Sequence, residues 1–339
     1  MSSKKIGQQT IVLSSPPSFH SYANVAGKKE GEGPLSGSFD YIDSDDTFGQ
    51  PSWEKAESSM QKQALTQALQ KGNLEASGLD WLFAGDLLNQ CVSSSFAARD
   101  QEIPFFGLYG ACSTIGEGLA LASMTLDGGF GQYAGVVASS HFCSAERQYR
   151  YPLEYGGQRS PAAQWTVTGA GCAVISEHKK GLPYIDKVII GSVRDLGITD
   201  VNNMGAAMAP AAAQTIAQFL KDTHTIPSDY DLILTGDLGS TGSQLLLELV
   251  SQEYRLDISS VHNDCGMMIY DLKAQDMHSG GSGCGCSASV VCSYILDRIK
   301  SRDLKNVLFV GTGALLSPTS SMQKESIPGI AHGVLLKAE

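Results

Sequence analysis

The stretch Asp80-Trp-Leu-Phe-Ala-Gly-Asp-Leu87 recurs about half the chain later, with the same ending, as Asp231-Leu-Ile-Leu-Thr-Gly-Asp-Leu238. Each copy is a short apolar run closed by Gly-Asp-Leu, a pattern typical of a buried parallel strand that ends in a turn. A second echo follows each copy, because Gly110-Ala-Cys-Ser-Thr114 and Gly283-Cys-Gly-Cys-Ser287 both open runs with helical composition. These repeats indicate one α/β unit used twice.

The order of the segments predicts the architecture. Apolar strands alternate with helices in both halves, which indicates an α/β fold with a mixed, mostly parallel sheet covered on both faces. Two such units would form a five-layer α/β/α/β/α body, with one helix from each half in the middle layer. The expected halves are residues 1–180 and 181–339.

The segment 14–51 interrupts this pattern. It is polar and rich in Gly, Pro and Ser, and a structureless stretch of that length inside a compact domain is usually functional. The sequence therefore predicts a covering arm over 14–51, followed by a helix that Ser52 caps and Gly72 ends. A second irregular polar stretch is expected over 141–164.

Composition limits the class of protein. The chain of 339 residues is 42% hydrophobic and 17% charged, which is typical of a soluble globular protein. Its net charge of −11 argues against nucleic acid as a partner, since phosphate binding needs concentrated Lys and Arg. The eight cysteines form no disulfide-like framework. No apolar run approaches the ~18 residues of a membrane span, so a cytosolic-type chain is expected.

Cys112 is the sharpest candidate for a functional side chain. It follows an apolar strand and opens a helix, and Gly110 gives the backbone freedom for a sharp turn. Unpaired N–H groups and the positive helix end favour a thiolate there, which is the nucleophilic form of cysteine. The alternative is a small buried residue in a tight strand-to-helix turn.

A nucleophilic cysteine also needs a base, which is normally a histidine. His141 follows the C-terminal end of a strand, where the ligand sites of α/β proteins gather, and His262 and His332 flank apolar segments. A lone histidine is more often a hydrogen-bonded structural residue than a catalyst, and this is the alternative for each of them. His262, Asp264 and Cys265 match no strong zinc spacing, so no metal site is predicted.

Arginine and tyrosine cluster in the middle of the chain. Arg147 and Arg150 would bind carboxylates bidentately, while Tyr149, Tyr151 or Tyr155 would cover an aromatic ring. In an acidic protein this cluster indicates a small anionic ligand. The alternative is a solvated loop with an internal Glu–Arg pair.

The glycine-rich segment Ser279-Gly-Gly-Ser-Gly-Cys-Gly-Cys286 would cradle an anion at the start of the following helix. It matches neither a P-loop nor a dinucleotide-binding fingerprint. No nucleotide or other cofactor is therefore predicted.

These motifs together resemble the thiolase and ketosynthase superfamily. The resemblance rests on the duplicated halves, on Gly110-Ala-Cys112 before a central helix, and on Thr168-Gly-Ala-Gly171 and Gly311-Thr-Gly-Ala-Leu-Leu316. A closer likeness is to a sporulation branch of this superfamily in endospore-forming bacteria. The stretches that carry it extend over nearly the whole chain and are Leu82-Phe-Ala-Gly-Asp-Leu-Leu-Asn-Gln90, Ala145-Glu-Arg-Gln-Tyr-Arg-Tyr-Pro152, Glu154-Tyr-Gly-Gly157, Asp195-Leu-Gly-Ile-Thr-Asp200, Met208-Ala-Pro-Ala-Ala-Ala213 and Gly313-Ala-Leu-Leu-Ser-Pro-Thr319.

The resemblance implies a thiolase-like five-layer fold. It also implies that the protein binds a ligand and does not catalyse a reaction. Members of that branch are expected to bind dipicolinic acid (pyridine-2,6-dicarboxylate), free or as its calcium chelate, for uptake into the forespore. The resemblance also implies a homodimer joined through its sheet edges. It implies action with membrane proteins of the same operon, at the inner forespore membrane, to which the chain would attach peripherally.

The chain departs from the catalytic members of the superfamily beside Cys112. Condensing enzymes pair their cysteine with two histidines, or with a histidine and an asparagine, from the second half. This chain has Thr235-Gly-Asp-Leu238 and Gly283-Cys-Gly-Cys286 at the corresponding places. A cysteine without a base and an oxyanion partner is poorly suited to condensation. The alternative is a cysteine-dependent acyltransferase or condensing enzyme with His278 or His332 as the base.

The predicted site is a pocket for a dianionic aromatic acid over the helix that Cys112 opens. Backbone N–H groups at the helix start, one arginine, and either a histidine or an asparagine would hold the carboxylates, with a tyrosine over the ring. The predicted ligand-binding residues are Cys112, Asn89, His141, Arg147, Arg150, Tyr151 and Cys284.

Overall fold

The described part of the first half contains nine strands and five α-helices. The structure is a computed structural model that describes residues 4–150, the last by its backbone alone, and residues 159–339. The strands are β1 (Lys5–Ile6), β2 (Thr10–Val12), β3 (Ser18–Ala26), β4 (Tyr41–Ile42), β5 (Trp81–Gly85), β6 (Phe105–Leu108), β7 (Tyr133–Ser140), β8 (Trp165–Thr166) and β9 (Gly169–Ser176). The helices are α1 (Lys28–Gly31), α2 (Trp53–Lys71), α3 (Val92–Arg99), α4 (Thr114–Asp127) and α5 (Phe142–Arg150).

The second half repeats this plan. Its strands are β10 (Tyr184–Ile189), β11 (Leu232–Thr235), β12 (His262–Asp264), β13 (Gly281–Ser282), β14 (Asn306–Ala314) and β15 (Gly329–Lys337). Its helices are α6 (Met204–Thr223), α7 (Gly239–Tyr254), α8 (Cys265–Met268), α9 (Cys284–Val290), α10 (Leu296–Lys300) and α11 (Pro318–Met322).

The two halves have the same strand order. The first sheet runs β3-β9-β7-β5-β6 and the second runs β10-β15-β14-β11-β12. Counted along the chain within each half, both sheets therefore read 1-5-4-2-3. In each sheet the fifth strand, β9 or β15, pairs antiparallel with both of its neighbours, and the other four strands share one direction. The predicted mixed, mostly parallel α/β sheet is confirmed.

The sheets and helices stack in five layers. Helices α4 and α9 lie in the middle, where α4 contacts β5 and β7 on one side and β14 and β15 on the other. Helix α2 covers the outer face of the first sheet, and α6 covers the outer face of the second. A helix between two sheets must be apolar all round, which explains why Ile115, Leu119, Ala120 and Ala122 of α4 are all fully buried.

Close packing in the middle layer depends on small residues. At Gly171 of β9 a Cβ atom would lie 2.2 Å from the carbonyl oxygen of Ala288 in α9. Glycine is the one residue that lets the sheet and the helix approach this closely. On the outer face, Ser52 caps α2 as the sequence predicts, since its side chain accepts a hydrogen bond from the Lys55 amide at 3.4 Å.

The predicted covering arm over 14–51 is wrong for residues 18–26. These residues form β3, which pairs with β9 along its length and lies inside the sheet. Phe19, Ala23 and Val25 are fully buried there. The polar residues between these buried side chains give the segment the composition of a loop. They hide the alternation of buried and less buried positions that is typical of a strand.

The predicted irregular stretch over 141–164 also contains regular structure, because Phe142–Arg150 form α5. This helix begins one residue after β7 and carries Arg147, Tyr149 and Arg150 of the arginine and tyrosine cluster, whereas Tyr151 and Tyr155 lie outside the described residues. Among the described residues, no helix combines the length and the apolar character needed to cross a membrane.

Candidate functional site

Cys112 lies in a short turn between β6 and α4 and is buried. The left-handed residue of this turn is Ala111, with a φ of 49°, which is an uncommon conformation for a residue with a side chain. Gly110 has another role in the turn, because a Cβ atom there would lie 2.6 Å from an oxygen of Glu117 and 2.7 Å from the Ser113 hydroxyl. The turn therefore fixes the thiol between the two sheets.

The carboxylate of Asp237 faces the Cys112 thiol, and the interaction between the two groups lowers the pKa of the acid and raises the pKa of the thiol. Asp237 is fully buried and also accepts from the Gly283 amide at 2.8 Å and from the Thr312 hydroxyl at 2.9 Å. Burial raises the pKa of Asp237 to about 7, although its hydrogen bonds from Gly283 and Cys112 lower it. The second Gly-Asp-Leu motif thus delivers an acid to the position facing the cysteine.

The surroundings of Cys112 disfavour a thiolate. Burial raises the pKa of the thiol well above its usual range, and the charge of Asp237 raises it further. The nearby Gly283 amide opposes these effects and lowers the pKa of the thiol. The start of the helix therefore does not activate the cysteine, contrary to the effect expected of a helix N-terminus alone.

Cys284 lies in the same cluster as Cys112. Its Sγ donates to the carbonyl oxygen of Ala111 at 2.9 Å, and burial holds the pKa of its thiol well above the usual range. The turn before it needs glycine, because Gly283 has a φ of 102°. Of the predicted site residues, the structure brings Cys112 and Cys284 together.

The pocket over Cys112 is small and mostly apolar. Its volume is about 30 Å³, and its walls include Leu87, Ala145 and Leu316. Such a volume holds about two water molecules. The Tyr149 hydroxyl donates to the carbonyl oxygen of Leu87 and lies 2.9 Å from the Tyr109 hydroxyl, which ties α5 across the pocket.

Neither histidine proposed as a base lines this pocket. The His278 Nδ1 lies 2.8 Å from the carbonyl oxygen of Ser160. His332 accepts a hydrogen bond from the Gly191 amide at 3.3 Å, and burial lowers its pKa to about 4. Both rings are held by backbone groups elsewhere in the fold.

The remaining predicted residues are scattered. Arg147 pairs with Glu54 and lies over the Trp53 ring, with its guanidinium carbon 5.2 Å from the ring centre. Asn89 is exposed, and its backbone amide donates to Gln148 at 3.0 Å. The Arg150 side chain and Tyr151 lie outside the described residues.

His141 is buried in a different place. Its Nε2 lies 2.7 Å from the carbonyl oxygen of Asp46, and burial lowers its pKa. It lines a second pocket, of about 260 Å³, together with Lys28, Lys29 and Trp165. The Lys28-Lys29 pair after β3 is the sequence signal for this pocket, and it lies within the stretch predicted to be a covering arm.

The five layers, the duplicated sheets and a cysteine opening the central helix define a thiolase-like protein. The solved structures agree: human mitochondrial 3-ketoacyl-CoA thiolase, bound to CoA, aligns with a TM-score of 0.60 and 11% identity over 97% of this chain and 99% of its own. The 3-oxoacyl-[acyl-carrier-protein] synthase III of Aquifex aeolicus aligns with a TM-score of 0.57 and 13% identity over 95% and 99%. These similarities show the fold.

Sequence comparison shows the family. The model of the Stage V sporulation protein AD family matches residues 7–337, so the chain belongs to that family. The Stage V sporulation protein AD of Bacillus subtilis (strain 168) is 47% identical over 334 residues, which cover 98% of each chain. The predicted resemblance to a sporulation branch of the thiolase-like proteins is confirmed.

Proposed function

We propose that this protein is a non-catalytic thiolase-like protein that binds dipicolinic acid for its uptake into the forespore during sporulation. Membership of the sporulation family supports the process, and the resemblance described above supplies the ligand. The observation that carries the non-catalytic part is the contact between Cys112 and Asp237.

A cysteine needs three things for acyl transfer: a thiolate, a proton acceptor, and donors for the developing oxyanion. The raised pKa of Cys112 opposes the first. Asp237 already accepts three other hydrogen bonds and carries a charge that opposes a thiolate beside it. The pocket is suited to hold the thiol in its neutral form.

Equilibrium dialysis with dipicolinate, with and without calcium, tests the binding. We expect saturable binding to the purified protein and weaker binding of benzoate, which has one carboxylate and no ring nitrogen. Absence of saturable dipicolinate binding would contradict the proposal.

The alternative, a cysteine-dependent acyltransferase or condensing enzyme, is tested with an acyl-CoA and mass spectrometry. We expect no acyl group on Cys112 after incubation. Thioester turnover that disappears in Cys112→Ala would establish the enzyme and end the non-catalytic proposal.

We also propose that the protein is a homodimer joined through β6. This strand forms the outer edge of the first sheet. Phe106 on it is 49% exposed, although it stacks on Phe83 with ring centres 5.1 Å apart, and Phe96 and Tyr109 nearby are also exposed. An exposed apolar edge of this kind is a template for pairing with another strand, which supports the edge-to-edge dimer implied by the superfamily resemblance.

We further propose that the protein acts with membrane proteins of the same operon at the inner forespore membrane. The support is the family and the implied uptake of a ligand across a membrane. Vesicle flotation tests this proposal, with recovery of the protein expected on vesicles that contain those membrane proteins and not on bare lipid. Equal recovery on both would contradict a protein-mediated attachment.

A further inference from the structure

Two tyrosine hydroxyls span the pocket over Cys112. The Tyr149 hydroxyl of α5 contacts the carbonyl oxygen of Leu87 and lies 2.9 Å from the Tyr109 hydroxyl. The Tyr109 hydroxyl in turn lies 3.2 Å from the carbonyl oxygen of Leu316. A phenol has a single proton to donate. Two protons therefore serve three contacts, so one of the three contacts lacks a hydrogen bond at any moment.

The hydrogen bonds that hold the last turn of α5 come from side chains. In the described parts of the chain, no main-chain hydrogen bond joins residues 142–150 to the turn that follows β5. Gln148 accepts from the Asn89 amide at 3.0 Å and donates to the carbonyl oxygen of Leu87 at 3.1 Å, beside the contact of Tyr149. These groups are partly exposed, so water replaces the bonds at small net cost when they break.

The first turn of α5 is anchored more firmly. The Ser144 hydroxyl lies 3.0 Å from the carboxylate of Glu57, which is buried and also accepts from the Ser139 hydroxyl of β7 at 2.8 Å. The Phe142 amide donates to the Thr168 hydroxyl at 3.1 Å. Breaking the buried bonds of Glu57 would leave polar groups without partners. Helix α5 therefore has a fixed base against β7 and α2.

The middle of α5 marks the limit of this anchor. The Thr166 hydroxyl donates to the buried Glu146 at 3.0 Å. One residue later, Arg147 pairs with Glu54 of α2 at the surface, where its side chain is 49% exposed. An exposed ion pair contributes little net stability. The buried polar contacts of the helix thus end at Glu146, and residues 147–150 are the part that is able to move.

The space beneath α5 is too small for an organic molecule while these contacts hold. It measures about 30 Å³, room for about two water molecules, and Cys112 is 4% exposed. A pyridine ring with two carboxylates is several times larger, and so is a thiol reagent. Either of them reaches Cys112 only when part of the wall moves.

We propose that the end of α5, residues 147–150, is a gate over Cys112. In the closed state Tyr149 lies against Leu87 and Tyr109. In the open state this end turns away while the base stays anchored at Ser144, and the thiol becomes accessible. Opening breaks side-chain hydrogen bonds near the surface and leaves the buried bonds of Glu57 intact. The gate goes beyond the proposed function, because it controls access to Cys112 whichever molecule enters.

Alkylation of Cys112 by iodoacetamide, followed by mass spectrometry of the peptides, measures opening without a ligand. Tyr149→Phe and Tyr109→Phe each remove a hydroxyl and keep the ring. The rate at Cys112 should rise about two- to tenfold in each variant, which is the range for loss of one hydrogen bond. The pH of half-maximal rate should stay that of the wild type, because neither change alters the charge beside the thiol.

Two controls detect other causes of a faster rate. Cys172 is fully buried in β9, so its alkylation measures unfolding and should be equally slow in every variant. Tyr294→Phe removes a hydroxyl that accepts from Arg298 at 2.8 Å and does not line the pocket, so it should leave the rate at Cys112 unchanged. A rise at Cys172 equal to that at Cys112 would indicate general loosening and contradict the gate.

Dipicolinate separates the gate from the proposed function. If it binds over Cys112, a saturating concentration should slow alkylation in the wild type and in Tyr149→Phe. Faster alkylation in both tyrosine variants without protection by dipicolinate would support the gate and count against dipicolinate as the ligand of this pocket. Wild-type rates in Tyr149→Phe and Tyr109→Phe would overturn the gate, whatever dipicolinate does.

Discussion

The two Gly-Asp-Leu motifs place equivalent carboxylates in different surroundings. Asp86 accepts from the Leu88 amide at 2.9 Å and from the Ser94 amide and hydroxyl at 2.8 and 2.6 Å, close to the buried Glu57. Asp237 instead accepts from Gly283 and Thr312 and faces the Cys112 thiol. A repeated sequence has thus produced one acid that closes its own turn and one that faces the cysteine.

Asp237→Asn should lower the pKa of Cys112 and destabilise the fold. The substitution removes the charge that opposes the thiolate, so alkylation of Cys112 by iodoacetamide should reach half its maximal rate at a lower pH. The new amide N–H₂ faces hydrogen-bond donors, which should cost about 1–3 kcal/mol in the free energy of unfolding. An unchanged alkylation profile would show that Asp237 does not influence the thiol.

Glu57→Gln should change how stability depends on pH. Burial and the neighbouring Asp86 raise the pKa of Glu57 to about 8 in the folded protein, above its value of 4.5 in the unfolded chain. The folded state therefore binds the proton more tightly, and this contribution to stability is lost as pH rises from about 4.5 through 8. Glu30 and Asp237 act in the same direction.

Thermal melts between pH 5 and 9 measure this effect. The Tm of the wild type should fall more steeply with pH than that of Glu57→Gln, so any advantage of the wild type shrinks as pH rises. Exposed Glu75, changed to Gln, provides the matched control and should leave the slope unchanged. Parallel curves for wild type and Glu57→Gln would contradict the assignment.

At the scale of elements, short sequence motifs correctly predicted the strand ends and helix starts that they themselves form. The Gly-Asp-Leu endings predicted β5 and β11, and the turn around Cys112 predicted the start of α4. Strand β3 was missed because its buried face is set by pairing with β9, far away in sequence. Arg147 was predicted to bind a ligand over Cys112, but it pairs with Glu54 of α2. This ion pair joins residues far apart in the sequence, so no local pattern indicates it.

Gly171→Ala should destabilise the contact between the first sheet and α9. The added methyl group would meet the carbonyl oxygen of Ala288, where 2.2 Å is available. Overpacking of this kind costs about 1–3 kcal/mol, measured as the free energy of unfolding in urea. Gly37→Ala enters open space and should change that free energy by less than about 0.5 kcal/mol.

Phe106→Lys should convert the proposed dimer to a monomer. The charge would lie on the edge strand β6, where lysine opposes pairing with a second strand. Light scattering after size exclusion measures the mass directly. Met322→Lys, at a side chain that is 78% exposed in the other half, should leave the mass unchanged. A wild-type protein that is already monomeric would contradict the dimer.

At the scale of the whole molecule, the sequence predicted the layers but not the distribution of the site residues. The repeated motifs and the alternation of strands with helices were enough to predict the five layers, because these patterns indicate which segments are buried. The Cys112 and Cys284 cluster followed from the same repeats. The Lys28-Lys29 pair is visible in the sequence, but its position beside Trp165 depends on sheet pairing and on the course of the chain after β3.

The first residues of the chain tie its halves to one another. Strand β2 belongs to the first half, yet it pairs with β10 of the second, and Ser18 of β3 meets Tyr184 of β10. Main-chain hydrogen bonds therefore join the strands of the two halves into one sheet, and these bonds oppose separation of the halves.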